Sequence, residues 1–217
     1  VRTPEDDSIP WGQLCDGDWE KEAAWPSLIP QGVLSVSYEP DFRAVFNGRR
    51  RDSRARCRYS RVLNSMEEPG LWPSATGSEV YRFTWMRSFE EDIAIRVERH
   101  GTVAVLHAKQ LKLPSKSSDG ASPLDVNQSR LLLPLQWAEF RRRLEVLSFW
   151  TRKSAREGTY TIYLDGSRWL LEGAQDGGYR AYDVFLPSTA GESGAFRDAC
   201  LYLVELSGLS IPSRDVY

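Results

Sequence analysis

From Tyr160 to Pro187 the chain reads YTIYLDGSRWLLEGAQDGGYRAYDVFLP, and this stretch decides the fold. Thr161 and Tyr163 alternate with Ile162 and Leu164, the two-residue period of a strand. Asp165-Gly166 is a tight-turn signal. Arg168 to Ala174 (RWLLEGA) predicts the next strand, Asp176-Gly177-Gly178 another turn, and Tyr179 to Leu186 a returning strand that Pro187 ends. Its side chains divide into Tyr179, Ala181, Asp183 and Phe185 on one side and Arg180, Tyr182 and Val184 on the other. A helix follows from about Gly194, capped by Ser193, with Phe196, Ala199, Cys200, Leu203 and Leu206 as its apolar face. Gly208 is placed to end it.

Towards the N-terminus the same order of strands then helix recurs. VYRFTWMRSF from Val80 sets Tyr81, Phe83 and Trp85 on one face and Arg82, Thr84 and Met86 on the other. Glu90 to Asp92 reads as a turn, Ile93, Ile95 and Val97 as a second strand, His100-Gly101 as a hairpin turn, and Thr102 to Leu111 as a third strand. Pro114 to Gln128 is rich in Ser, Gly and Pro and predicts a loop, with one more short strand over Ser129 to Leu133. Pro134 suits the first turn of a helix whose Trp137, Phe140, Leu144 and Leu147 share a face. The expected architecture is an α+β domain over 79–217: an antiparallel β-sheet built from two strand groups, with two amphipathic helices packed on one face.

Residues 1–78 differ, and predict an irregular N-terminal extension. Asp18 to Trp25 can form a short helix, and Gly32 to Tyr38 (GVLSVSY) a short strand. An Arg-rich segment spans 49–61, with Arg49, Arg50, Arg51 and Arg54 as the candidate anion-binding group. Its simpler reading is a solvated segment that balances the acidic start of the chain. Asn64 to Ser78, with Pro69, Gly70, Pro73 and Gly77, reads as a linker.

With 217 residues the chain can bury a sizeable core, and its net charge of −2 gives no electrostatic footprint for nucleic acid. Eight Trp and nine Tyr fit either core aromatics or a recognition surface. No apolar run has the length of a transmembrane segment, and residues 1–30 do not read as a signal peptide. Val1 as first residue leaves open a processed chain, a trimmed one or an alternative start. Compartment and oligomeric state are left open as well.

Of three cysteines, Cys200 sits in an apolar helical pattern, while Cys15 and Cys57 can pair in an oxidising compartment. Their spacing gives no zinc motif, and no nucleotide-binding glycine loop occurs, so no metal and no cofactor is expected. Only His100 and His107 exist. A hydrolytic triad would need one of them beside a nucleophile, and no GxSxG elbow is present.

Carboxylates remain. Asp165, Glu172, Asp176 and Asp183 gather around the opening stretch, and paired carboxylates can cleave glycosides. Turn formation explains Asp165 and Asp176. Glu172, next to Trp169-Leu170-Leu171, is unusual: turned inward it needs a cation, for which hairpin spacing nominates Arg168 or Arg180. Trp169, Glu172, Tyr179 and Arg180 are the candidate binding residues, and Glu172 the candidate catalytic group of a carboxylate-dependent hydrolase.

The pattern Asp165-Gly166, Trp169, Leu171-Glu172-Gly173, Gly178-Tyr179, Pro187 and Gly194-x-Phe196-Arg197 before an apolar helix resembles a group of small uncharacterised bacterial proteins. YRFTWMRSF and the Trp137 helix extend the resemblance over about 80–217. Many of those proteins look exported, and the resemblance implies no activity. The expected function is that of a non-enzymatic bacterial binding protein, of which an immunity or inhibitor protein with a protein partner is the sharpest form. The alternatives are a hydrolase at Glu172 and an envelope-associated structural protein using the basic segment.

Overall fold

The computed structural model describes residues 15, 26–34, 42–73, 77–112, 124–151, 166–212 and 216, with the side chains of 42–51 outside that description. The chain forms two compact units, Val1–Gly70 and Leu71–Tyr217.

In the first unit a helix, α1, runs from Phe42 to Ser65. It carries the Arg-rich segment, so the described residues hold three helices, one more than the two expected on the sheet. Four polar residues at helical spacing make one stripe on it. Asp52 accepts the N–H groups of Gly32 (3.0 Å) and Leu34 (2.9 Å). Arg56 donates to Asp52 (3.1 Å) and to Ser27 (3.2 Å). Ser60 accepts the N–H of Leu28, and Asn64 donates to the carbonyl of Pro26. The stripe therefore ties down the backbone of residues 26–34, whose polar groups need partners. Gly32 to Leu34 form a turn instead of the start of a strand, because Asp52 holds two of their N–H groups. The rest of that expected strand and the helix expected over 18–25 lie outside the described residues. Cys15 and Cys57 form a disulfide across 42 residues of sequence.

The second unit is a six-stranded antiparallel sheet with two helices on one face. The strands are β1 (Ser78–Arg87), β2 (Ile93–His100), β3 (Val103–Leu111), β4 (Leu124–Leu132), β5 (Ser167–Gln175) and β6 (Gly178–Phe185). The helices are α2 (Pro134–Val146) and α3 (Gly191–Ser207). The spatial order is β4-β3-β2-β1-β5-β6, so the two strand groups meet where β1 pairs with β5. The α+β reading of the sequence holds.

Alternation sorts the strands cleanly. Tyr81, Phe83, Trp85, Ile95, Val97, Leu106, Trp169 and Leu171 face the helices and pack with Trp137, Phe140, Leu144, Phe196, Cys200 and Leu203. Trp85 and Trp169 meet at 4.5 Å between ring centroids, and Phe83 lies 5.1 Å from Trp169. Each such aromatic removes roughly 150–250 Å² from water, which makes this cluster the main source of stability. Gly173 sits in the same layer. A Cβ there would lie 2.6 Å from Phe149 and 2.8 Å from Tyr81, so the close approach of these rings requires glycine.

The β5–β6 turn follows its sequence. Asp176 (φ 46°) and Gly177 (φ 75°) both take left-handed conformations, as a two-residue primed hairpin turn demands. Gly208 ends α3 with φ 75°, while α3 starts at Gly191, before the expected Ser193 cap. Ser193 lies inside the helix, and its hydroxyl accepts the N–H of Ser188. β4 starts at Leu124, earlier than expected. Its Asp125, Asn127 and Gln128 read as a loop, yet this outer strand is exposed and still supplies the backbone pairing that β3 requires. The strand expected at 161–164 lies outside the described residues.

At the β1–β2 turn, Asp92 accepts the backbone N–H of Arg87 (2.9 Å). Burial pushes its carboxyl up to about 6, only partly opposed by Arg87. A carboxyl raised by folding favours the protonated native state. Its contribution is therefore full below about pH 4 and is lost as pH rises through about 6. Asn keeps the acceptor without the charge. Urea unfolding of Asp92→Asn and parent at pH 4 and pH 7 is expected to show the variant gaining stability relative to the parent at the higher pH.

Candidate functional site

The sheet face opposite the two helices carries the polar chemistry. Register places Glu172 (β5) opposite Arg82 (β1), Arg82 opposite Arg96 (β2), Arg96 opposite His107 (β3) and His107 opposite Ser129 (β4). One polar row thus crosses five neighbouring strands. Every member points to the same face because pairing positions share a side of the pleat.

The inner end of the row is sealed. Arg82 and Glu172 are both fully buried. The guanidinium donates through Nε to Glu172 Oε2 (2.7 Å) and through Nη2 to Oε1 (2.9 Å), a two-point fork. Tyr179 donates its hydroxyl to Glu172 Oε1 at 2.7 Å. Burial, and then the neighbouring carboxylate, push that hydroxyl well above its ordinary range, so Tyr179 stays a neutral donor. Leu71, Val80 and Ala174 pack beside Tyr179, and Trp72 meets its ring edge-on at 6.3 Å. The Oγ1 of Thr84, two residues along the same face from Arg82, is buried with no hydrogen-bond partner.

The outer end is open. Arg96 binds Glu98 (2.7 Å). Glu98 Oε1 lies 3.0 Å from His107 Nε2, and His107 Nδ1 lies 2.7 Å from the hydroxyl of the exposed Ser129. Burial alone would raise the Glu98 carboxyl, but Arg96 and His107 together hold it below its ordinary value. Two arginines stand side by side in this row, and each has its own carboxylate: Glu172 for Arg82, Glu98 for Arg96. That division keeps the like charges tolerable.

The four residues nominated from the opening stretch do not converge. Trp169 and Glu172 are three apart on one strand, so they point to opposite faces. Trp169 is core; Glu172 and Tyr179 are together on the polar face. Arg180 lies with Trp169's side of the sheet, donating to the carbonyl of Phe149 (3.2 Å) and to the Tyr182 hydroxyl (3.0 Å). Glu172 takes its cation from β1, at Arg82, and not from Arg168 or Arg180. Hairpin spacing sees only β5 and β6, whereas the guanidinium comes from β1 on the other side. Arg168 instead pairs with Asp183. Neither Glu172 oxygen is within reach of a substrate in solution, since the whole side chain is buried.

Arg49, Arg50 and Arg51 belong to α1, but their side chains lie outside the described residues; Arg54 is half-buried. Among the described residues no group of three or more His, Cys, Asp and Glu is placed to hold a metal ion, and no helix is long and apolar enough to cross a membrane.

Sequence reading missed Arg82, Arg96, Glu98 and Ser129. Each is unremarkable in its own segment. The signal was strand alternation plus register: Arg82 shares the face of Thr84 and Met86, and the hairpin at His100-Gly101 sets Arg96 against His107. No protein-family model matches the chain, and no curated protein matches it, so the geometry alone carries the functional argument.

Proposed function

We propose that this chain is a bacterial binding protein of the immunity or inhibitor type, acting by docking on a protein target. The observation that supports this reading most is the outer strand. Among the described residues β4 pairs only with β3, and it is exposed from Asn127 to Leu131. Leu131, Leu133 and Leu135, at the end of β4 and the start of α2, are 68%, 64% and 83% exposed. An open strand edge flanked by exposed leucines offers backbone pairing and apolar anchors together, the two requirements of strand-addition recognition. The disulfide adds support for an oxidising compartment, where exported proteins work. The buried charge cluster around Glu172 supports the fold under this reading, and the hydrolase alternative at Glu172 loses its reachable carboxylate.

The test uses enzymes encoded beside the gene, purified singly and titrated with the chain. The reading expects one of them to bind with 1:1 stoichiometry and to lose activity on binding. A Leu131→Asp/Leu133→Asp variant should weaken that binding by at least tenfold, the size of a hot-spot loss. No binding to any of them, or binding indifferent to the double substitution, contradicts the proposal.

A further inference from the structure

The open end of the polar row has the order of a nucleophile relay. An exposed serine hydroxyl lies 2.7 Å from one ring nitrogen of His107, and a carboxylate lies 3.0 Å from the other. Arg96 in turn anchors the carboxylate at 2.7 Å. The charges fix the proton arrangement. Glu98 is held ionised, so His107 Nε2 carries hydrogen and donates to it. Nδ1 is then left as the acceptor of the Ser129 hydroxyl proton. Three strands supply the three groups, and their paired registers hold them more firmly than loops would.

We infer that Ser129, His107 and Glu98 form an acyl-transfer site for small activated esters on the β2–β3–β4 surface. This goes beyond the binding reading and does not depend on it.

In the reaction, Ser129 Oγ attacks the ester carbonyl carbon while its proton moves to His107 Nδ1. The imidazolium is stabilised by Glu98. Collapse of the tetrahedral intermediate breaks the bond to the alkoxy oxygen, which leaves as alcohol with the proton from Nδ1. The acyl group then rests on Ser129 Oγ. Water attacks it, gives its proton to Nδ1, and the acid departs as Oγ recovers the proton. The sum is ester plus water to acid plus alcohol. On the same face Lys109 and Asn127 pair opposite each other on the adjacent rung, roughly 7 Å along the strands. The surface is open, so a short acyl chain with a good leaving group suits it better than a large substrate that needs a cleft.

The experiment is labelling of the intact chain with a fluorophosphonate, read by mass and site mapping, beside hydrolysis of p-nitrophenyl acetate. One adduct on Ser129 is expected, absent in Ser129→Ala. His107→Gln should slow labelling by at least a hundredfold, and Glu98→Gln by about tenfold, in the range of lost base catalysis. Hydrolysis of p-nitrophenyl acetate by the parent should exceed that by His107→Gln by the same factor as labelling does. Near-UV circular dichroism checks that the exposed Ser129→Ala and the His107→Gln variants keep the fold. If a chain with native dichroism gives no adduct, an adduct elsewhere, or labelling at Ser129 that His107→Gln leaves unchanged, the row is a cross-strand hydrogen-bond ladder and the inference is overturned.

Discussion

Glu172→Leu is expected to destabilise the protein by about 3–5 kcal/mol, a large share of the roughly 5–15 kcal/mol that holds a typical domain together. The substitution leaves Arg82 fully buried and always charged, without the carboxylate that receives both arms of its fork. It also strands the Tyr179 hydroxyl, which donates to the same carboxylate. Chemical denaturation at pH 7 measures the loss. Arg82→Met should cost about as much, because a carboxylate buried without its guanidinium is equally unwelcome. A Glu172 that served a substrate would behave differently: its removal would spare stability and abolish an activity.

Trp169→Ala is expected to lose about 3–5 kcal/mol as well, by another route. Its ring is fully buried, stacked at a tilt against Trp85 and Phe83, with its N–H donated to Ser167 (2.9 Å). Truncation opens a cavity between the sheet and α3, over which the Arg197 guanidinium also sits, 5.9 Å from the ring. Thermal unfolding followed by calorimetry should show a drop in midpoint of some ten degrees or more. A variant with unchanged midpoint but weakened partner binding would mean that Trp169 belongs to a recognition surface and not to the core.

How far the sequence could be read follows from the range of the interactions. The β5–β6 hairpin, its Asp176-Gly177 turn, the Pro134 start of α2 and the Gly208 stop of α3 depend on neighbours along the chain, and these were legible. The α+β architecture followed from the period of the apolar residues. The polar row depends on which strands become neighbours, and adjacency of β1 and β5 spans 90 residues between Arg82 and Glu172. No local pattern encodes that pairing. The same limit explains α1. Read as a run of charge, its arginines suggest a solvated segment, but Arg56 is buried against Asp52. The stripe Asp52, Arg56, Ser60 and Asn64 is visible only once the segment is taken as a helix.

The two ends of the row have different chemistry for a physical reason. Burial at β1 and β5 makes an unmatched charge costly, so Arg82, Glu172 and Tyr179 are consumed by one another. Towards β3 and β4 exposure grows, and His107 and Ser129 can meet both protein and solvent. Function is accordingly sought at the β4 side and stability at the β5 side.

A double-mutant cycle between Arg82 and Glu172 tests that division most directly. Arg82→Met, Glu172→Leu and the combined variant are compared with the parent by urea unfolding. The account predicts strong coupling: the double variant loses no more than either single one, so the two losses fail to add by about 3 kcal/mol or more. Additive losses would contradict it, because they would mean that Glu172 and Arg82 each answer to something other than one another.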